Sequence, residues 1–158
     1  MAENTPVVEV GHPPKALVGI LNRVLSFLVR TPLRGPVSRG VLVVRFTGRR
    51  SGRRYEVFVS PHLIDGGLTV LTNARWRLNF RGGRPAEWLY QGRTTSGRGI
   101  LVEEPQAVGE LYHERIRELG VKMAGRRTPV KVNVQRVPTV EELAELARTQ
   151  HLSAVRFS

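Results

Sequence analysis

The residues with the clearest capacity for chemistry form a short cationic segment, Thr47-Gly48-Arg49-Arg50-Ser51-Gly52, which interrupts an apolar run. Its two glycines allow positive φ and a close approach of the backbone to a ligand. Its arginines and serine add two fixed cations, a hydroxyl group and backbone N–H groups, which are donors that bind oxyanions. The spacing predicts a strand, a phosphate- or carboxylate-binding turn and a second strand. A surface hairpin that carries arginine side chains would have the same pattern.

A second segment that could bind a ligand lies downstream. It runs from Asn73 to Pro85 through Trp76 and Asn79, and it is followed by a Gly92-Arg93 pair. It combines aromatic faces with further arginines, between two predicted strands. A buried indole and a loop-capping amide would account for the tryptophan and the asparagine equally well.

Sets of residues typical of acid–base, nucleophilic or metal catalysis are missing from the sequence. The four histidines are scattered, without His-x-x-x-His spacing, and the chain has no cysteine. It has no Gly-x-Ser-x-Gly nucleophile motif, no Walker motif and no Gly-x-Gly-x-x-Gly motif. A reaction here would therefore depend on a bound cofactor that carries its own chemistry.

The net charge of +12 is unevenly distributed along the chain. Residues 1–102 contain 16 basic and 5 acidic side chains, whereas residues 103–158 contain 9 and 8. Only three of the 25 basic residues are lysines, and the planar guanidinium group of arginine suits forked recognition of oxyanions. The charge therefore predicts an anionic partner, and nucleic acid is one class that fits.

Hydrophobic periodicity predicts the elements that position the two segments. An N-terminal helix is expected over Leu17–Leu28, with Lys15 and Arg34 among its flanking cations, and it would either pack on the domain or lie on a membrane surface. Five short strands follow, punctuated by glycine turns. The predicted strands are Val41–Thr47, Arg54–Leu63, Leu68–Thr72, Ala86–Tyr90 and Arg98–Glu103.

Helices are predicted after these strands. Pro105 opens a helix that runs to Leu119, and Gly120 is its expected C-terminal stop. Val130–Val137 alternates valines with polar residues and predicts a last strand, and a capping box at Thr139–Glu142 opens a final helix. The fold class is therefore mainly β with added helices (α+β), and the short, closely spaced strands favour a small barrel.

Length and composition indicate how many domains the chain forms and where it is located. A length of 158 residues with 41% hydrophobic residues suits one domain, and we expect a disordered tail over residues 1–13 and a single domain over residues 14–158. The lack of cysteine gives no sign of an oxidising compartment, and the interrupted apolar stretch Ala16–Val29 is too short to span a bilayer. A cytoplasmic location is expected, with peripheral membrane contact through the N-terminal helix as an open alternative.

Taken together, the cationic turn and the downstream segment resemble the deazaflavin-dependent nitroreductase family, the split-barrel proteins that bind coenzyme F-420. The family has a Thr-x-Gly-Arg-Lys-Ser-Gly-like turn after its first barrel strand, then a Trp-x-x-Asn segment that leads into a strand and a Gly-Arg pair. The matching residues here are Thr47–Gly52, Trp76 with Asn79, and Gly92-Arg93. The resemblance covers residues 38–104 and implies a split β-barrel of the FMN-binding type.

The resemblance also implies roles for individual residues. The phosphate and polyglutamate tail of the deazaflavin would lie on the basic turn, and the Trp-x-x-Asn loop would border its groove. The positions carried over as cofactor-binding are Gly48, Arg49, Arg50, Ser51, Gly52, Arg54, Trp76 and Asn79.

The stretch after the turn departs from the family pattern. Members usually continue with Arg-x-x-Pro-Leu, whose backbone lies against the deazaflavin ring, whereas this chain has Arg54-Tyr55-Glu56-Val57-Phe58. Flavin mononucleotide is therefore a second cofactor candidate, and haem or a non-redox ligand stays open.

The function that the resemblance implies is an oxidoreductase, in which reduced deazaflavin passes a hydride to a small electrophilic acceptor such as a quinone, an enone or a nitro compound. Tyr112 and His113, on the helix after the barrel, are candidates to line the acceptor pocket or to donate a proton. Tyr112 also falls on the apolar stripe of that helix, which is the pattern of a core residue. A homodimer is a further expectation, because related split barrels commonly pair.

Two other functions fit the sequence. A small nucleic-acid-binding barrel would place its arginines on phosphates and use Trp76, Phe80, Trp88 or Tyr90 as stacking platforms. Against this function, aromatic residues make up only 6% of the chain, and its arginines concentrate at glycine turns. A non-catalytic barrel that stores or carries the flavin or deazaflavin would need the same binding residues without turnover.

Overall fold

The computed structural model describes residues 6–11 and 40–158. Within these ranges the chain forms nine strands, three α-helices and one 3-10 helix. The helix predicted over Leu17–Leu28 lies outside the described residues, and so does its expected membrane contact. None of the helices in the described ranges combines the length and the apolar character needed to cross a membrane.

Most of the strands are short, and several are linked to the next by a tight turn. The strands are β1 (Val8–Val10), β2 (Leu42–Thr47), β3 (Arg54–Val59), β4 (His62–Ile64), β5 (Gly67–Thr72), β6 (Arg84–Tyr90), β7 (Arg93–Val102), β8 (Val130–Val132) and β9 (Ser153–Phe157). The helices are α1 (Pro105–Leu119), α2 (Val121–Arg127) and α3 (Val140–Gln150), and a 3-10 helix spans Arg75–Phe80.

Seven of the strands form one antiparallel sheet in the order β3-β2-β6-β7-β9-β5-β4. Strands β3 and β4 are separated in sequence only by Ser60 and Pro61, yet they lie at opposite ends of this order. The sheet must therefore curl until its two edges approach each other, which makes it a half-barrel. This architecture confirms the predicted α+β fold of split-barrel type.

Two clusters of buried side chains hold the fold together. One packs on the inside of the curled sheet and includes Phe46, Phe80 and Phe157. The other lies between the helices and the sheet, around Tyr112 and Leu143, which are both fully buried. Because Phe80 belongs to the 3-10 helix, burial of its ring fixes that helix against the inner face of the sheet.

Most predicted elements are present with shifted ends. Helix α1 ends at Leu119 and is followed by Gly120, whose φ of 83° suits glycine, and Thr139 with Glu142 forms the predicted capping box of α3. The strand predicted over residues 54–63 is divided into β3 and β4 at Pro61, a residue that cannot donate a ladder hydrogen bond.

The structure corrects two of the predictions and adds one strand that was not expected. Val8–Val10, expected to lie in a disordered tail, is a strand that pairs with β8 and buries both of its valines. The last strand expected over Val130–Val137 ends at Val132. Strand β9 was not predicted at all, although it lies in the middle of the sheet between β7 and β5. In each case the pairing partner is distant in sequence, so local periodicity carries little information about it.

Candidate functional site

The turn between β2 and β3 is closed by its own backbone and by Ser51. Gly48 N–H donates to Arg53 O at 2.7 Å, and Gly52 N–H donates to Gly48 O at 3.1 Å. Ser51 Oγ accepts from Arg53 N–H at 3.3 Å and lies 3.1 Å from the Tyr55 hydroxyl oxygen. The turn is therefore a defined structure that holds its arginines at one end of the hairpin.

Both positions of the turn favour glycine, for different reasons. A Cβ atom on Gly48 would lie 2.6 Å from Ser51 Oγ and 2.6 Å from Tyr55 Cε2, so a side chain there would displace Ser51 and Tyr55. Gly52 has a φ of 68°, a conformation that favours glycine. The glycine spacing read from the sequence therefore reflects one steric and one conformational constraint.

Asn79 joins the turn to the 3-10 helix. Its Oδ1 accepts from Arg49 N–H at 2.8 Å, and its Nδ2 donates to Trp76 O at 2.8 Å. One carboxamide group thus uses both of its polar ends to hold the two segments together. The cationic turn and the Trp-x-x-Asn segment, which are far apart in sequence, are direct neighbours in the fold.

Aromatic side chains form one wall beside this junction. The ring of buried Phe46 stacks on the ring of Tyr55, with centroids 5.7 Å apart, and lies 6.0 Å from the ring system of Trp76. Tyr55 is 43% exposed. A planar ligand could therefore contact an aromatic face next to the arginines.

A cavity of about 430 Å³, which we call the arginine pocket, opens between the turn and the 3-10 helix. Two of the eight positions carried over from the resemblance, Gly52 and Arg54, do not line it. Five residues that the resemblance did not assign to the site also line it, and Tyr55 and Arg75 are the polar ones among them. The six carried-over positions that line it are Gly48, Arg49, Arg50, Ser51, Trp76 and Asn79.

The arginine pocket is positively charged. Arg49, Arg50 and Arg75 line it, no acidic residue does, and none of the three forms an ion pair with another described residue. Arg45, on β2, is by contrast neutralised by two glutamates of neighbouring strands. Three guanidinium groups without an acidic partner among the described residues lie at one opening and attract an anion.

Two backbone N–H groups of the turn are further donors for an anion, beside the charged arginines. Gly48, Arg49, Gly52 and Arg53 use their N–H groups within the protein. Across residues 6–11 and 40–158, the structure gives no acceptor to the N–H groups of the remaining two residues, Arg50 and Ser51. Adjacent N–H groups of this kind bind oxyanions, so the turn offers directional donors as well as charge.

A buried arginine supports the far wall of the pocket. Arg77 is only 8% exposed, and its Nη1 donates to the carbonyl oxygens of Asn73 and Ala74, each at 3.0 Å. Burial lowers the pKa of this guanidinium group from its usual value. Arg77 therefore fixes the start of the 3-10 helix from inside the protein.

Neither candidate for proton donation lies at the arginine pocket. The hydroxyl group of Tyr112 is buried and donates to Ser153 O at 2.7 Å, and burial raises its pKa well above the usual value. Nδ1 of His113 lies 2.8 Å from Pro138 O. Both side chains hold α1 against neighbouring segments, which is a structural role.

The predicted stacking platforms are only partly available. Phe80 is 0% exposed and Trp88 is 7% exposed, so neither ring can stack on a nucleic-acid base. Trp76 and Tyr90 are half-buried and keep some accessible surface. Nucleic-acid binding would therefore depend on two aromatic residues rather than four.

The strand order and the pocket define the chain as an α+β split barrel with an arginine-lined cavity at its β2–β3 turn. No protein-family profile matches the chain, and no curated protein sequence matches it. Among solved structures, the chain is similar to the crystal structure of the conserved hypothetical protein Rv2991 from Mycobacterium tuberculosis. That similarity has 16% sequence identity and a TM-score of 0.46, and it covers 93% of this chain and 81% of that chain. Similarity at this level carries no conclusion about function.

Proposed function

We propose that this protein binds coenzyme F-420 in the arginine pocket and acts as an oxidoreductase toward a small electrophilic acceptor. The observation that carries the proposal is the junction made by Asn79. It places the two segments that resemble the deazaflavin-dependent nitroreductase family on the same cavity, with their charged and aromatic groups side by side.

The donor set of the pocket fits the anionic part of this cofactor. A phosphodiester with a glutamyl tail carries several negative charges, and three guanidinium groups with two backbone N–H groups are strong donors for such oxyanions. The exposed ring of Tyr55 and the half-buried Trp76 offer apolar surface to a planar ring beside that charge.

The contribution of the protein would be positioning and charge compensation. When bound in its reduced form, the cofactor would supply a hydride, so that a quinone acceptor takes up that hydride and one proton and becomes a hydroquinone as the deazaflavin is oxidised. Arg49 and Arg50 would hold the anionic tail, and Asn79 would keep the turn and the 3-10 helix at a fixed separation.

The first test of the proposal is a titration of the purified protein with oxidised coenzyme F-420. Deazaflavin fluorescence would be followed at moderate salt, with flavin mononucleotide and single-stranded DNA titrated in parallel. We expect saturable micromolar binding of the deazaflavin alone. No response to either flavin, together with DNA binding that falls steeply with salt, would contradict the proposal and favour the nucleic-acid alternative. Deazaflavin binding without reduction of any acceptor would favour the alternative of a non-catalytic barrel that stores or carries the cofactor.

Replacing Asn79 should weaken cofactor binding although its side chain carries no charge. Asn79→Ala removes the acceptor of Arg49 N–H and the donor to Trp76 O, and each such hydrogen bond contributes about 0.5–1.5 kcal/mol. We expect the affinity for coenzyme F-420 to fall about tenfold, or about 1.4 kcal/mol, because the turn loses its fixed position. Asn133→Ala, which removes an amide hydrogen bond to Pro6 O away from the pocket, is the matched control. Equal affinities in the two variants would show that Asn79 does not position the turn.

A further inference from the structure

A second cavity, of about 600 Å³, lies beside the arginine pocket along strand β3. We call it the distal cavity. Val57 lines the arginine pocket and Val59 lines the distal cavity, and alternate residues of a strand face the same side, about 7 Å apart. In the segment after β5, Asn73 lines the distal cavity and Arg75 lines the arginine pocket. The two cavities are therefore lined by neighbouring residues of the same two segments.

The distal cavity has its own positive charge. Arg126, Arg127 and Lys131 line it, and none of its lining residues is acidic within the described part of the chain. Lys131 is paired with Glu9 at 3.3 Å, and Arg127 donates to a backbone carbonyl group at 3.5 Å. Arg126 is exposed and has no hydrogen-bond or ion-pair partner among residues 6–11 and 40–158. Among the three cations of this cavity, Arg126 is therefore the one with no partner in the described part of the chain.

Neutral polar groups and apolar groups complete the cavity. Ser60 and Asn73 line it, are half-buried, and have side chains without a hydrogen-bond partner among the described residues. Phe58, Val59 and Leu71 supply apolar surface. A cavity of this size with a few polar groups on an apolar wall suits a small organic molecule.

We propose that the distal cavity binds the electrophilic acceptor, and that this acceptor carries an anionic group (a carboxylate, sulfonate or phosphate) that is held by Arg126. The proposal rests on the proposed function, because it names the substrate class of the same site. Its physical basis is a cavity that combines the guanidinium group of Arg126, which has no partner among the described residues, with apolar and hydrogen-bonding groups next to the arginine pocket. A neutral acceptor would leave that charge unused.

A matched pair of quinones tests this proposal directly. A naphthoquinone and its sulfonate share the reactive ring and differ in one negative charge, and the chain has no cysteine thiol that a quinone would alkylate. Binding of each to the full-length protein would be measured by calorimetry without cofactor. We expect the sulfonate to bind about tenfold more tightly than the neutral quinone, and we expect this preference to disappear in Arg126→Gln. The preference should persist in Arg117→Gln, because Arg117 is exposed on α1 and lines neither cavity.

The outcomes separate this proposal from the proposed function. Equal affinity of the wild-type protein for the two quinones, or a preference that survives in Arg126→Gln, would overturn the anionic-acceptor proposal even where coenzyme F-420 binds. An Arg126-dependent preference in a protein that does not bind coenzyme F-420 would support the anion site and overturn the proposed function instead.

Discussion

Reversing the charge of Arg49 and Arg50 together is expected to lower the affinity for coenzyme F-420 at least a hundredfold while leaving the fold intact. A hydrogen bond to a charged group contributes about 1.5–3 kcal/mol, so losing two of them corresponds to roughly a hundredfold to ten-thousandfold in affinity. The carboxylates of Arg49→Glu/Arg50→Glu would also repel the anionic tail. Both arginines are exposed and lack an ion-pair partner within the described residues, so the free energy of unfolding should change little.

A control variant separates local contact from overall charge. Arg84→Glu/Arg117→Glu makes the same change in net charge at two exposed arginines that line neither cavity. Because salt screens charges beyond about 10 Å, we expect this control to bind coenzyme F-420 within about threefold of the wild-type affinity. Fluorescence titration gives the affinities, and thermal unfolding shows that both variants are folded. A folded Arg49→Glu/Arg50→Glu protein that keeps its affinity would exclude the turn as the cofactor site.

The sequence predicted the parts of this site better than the contacts between them. The chemistry of the cationic turn is local, because two glycines and their neighbours specify a tight turn that presents arginines. The hydrogen bond from Arg49 N–H to Asn79 Oδ1 joins residues 30 positions apart, and local pattern alone gave no reason to pair them. The resemblance to a family supplied the association of the two segments, and the structure places them in contact.

Some residues line the pocket although the sequence did not place them there. They come together because the sheet curls. Tyr55 and Arg75 belong to different segments, and both line the cavity because β3 lies at an edge beside the 3-10 helix. Tyr112 shows the opposite case, since its position on an apolar stripe indicated a core residue and its hydroxyl group is fully buried. Its pairing with the backbone of β9 was not predictable, because that strand itself was not predicted from local periodicity.

His62 is the residue whose surroundings the sequence described least. It was one of four scattered histidines, yet in the structure it is 1% exposed and joins β4 to two helices. Its Nε2 lies 3.0 Å from Arg127 O and its Nδ1 accepts from Arg115 Nε at 2.9 Å. The ring is therefore neutral, with its proton on Nε2 and a guanidinium group facing the other nitrogen.

This arrangement makes the stability of the fold depend on pH. Burial lowers the pKa of His62 from 6.5 to about 4, and the charges of Arg115 and Arg127 act in the same direction. At a pH between these two pKa values, His62 takes up a proton in the unfolded chain but not in the folded protein. The contribution of His62 to the stability of the fold is fully present above about pH 6.5 and is lost as the pH falls toward the folded-state pKa. Since one pKa unit corresponds to about 1.4 kcal/mol, the free energy of unfolding should fall by about 2–3 kcal/mol between about pH 7.5 and pH 4.5 from this group alone.

Urea unfolding of a glutamine variant isolates this contribution. The glutamine amide of His62→Gln supplies one donor for Arg127 O and one acceptor for Arg115 Nε, in a side chain that does not titrate. Between about pH 7.5 and pH 4.5, the fall in the free energy of unfolding should be smaller in His62→Gln than in the wild-type protein by about 2–3 kcal/mol. Carboxylates with a lowered pKa, such as Glu142 at about 2, lose their contribution in both proteins and cancel in the comparison.

Exposed His151 provides the control His151→Asn, which should keep the pH dependence of the wild-type protein, because asparagine tolerates the left-handed backbone found there. An equal pH dependence of the free energy of unfolding in wild type and His62→Gln would mean that His62 is not kept neutral by its burial beside Arg115 and Arg127, and that acid sensitivity arises elsewhere in the fold.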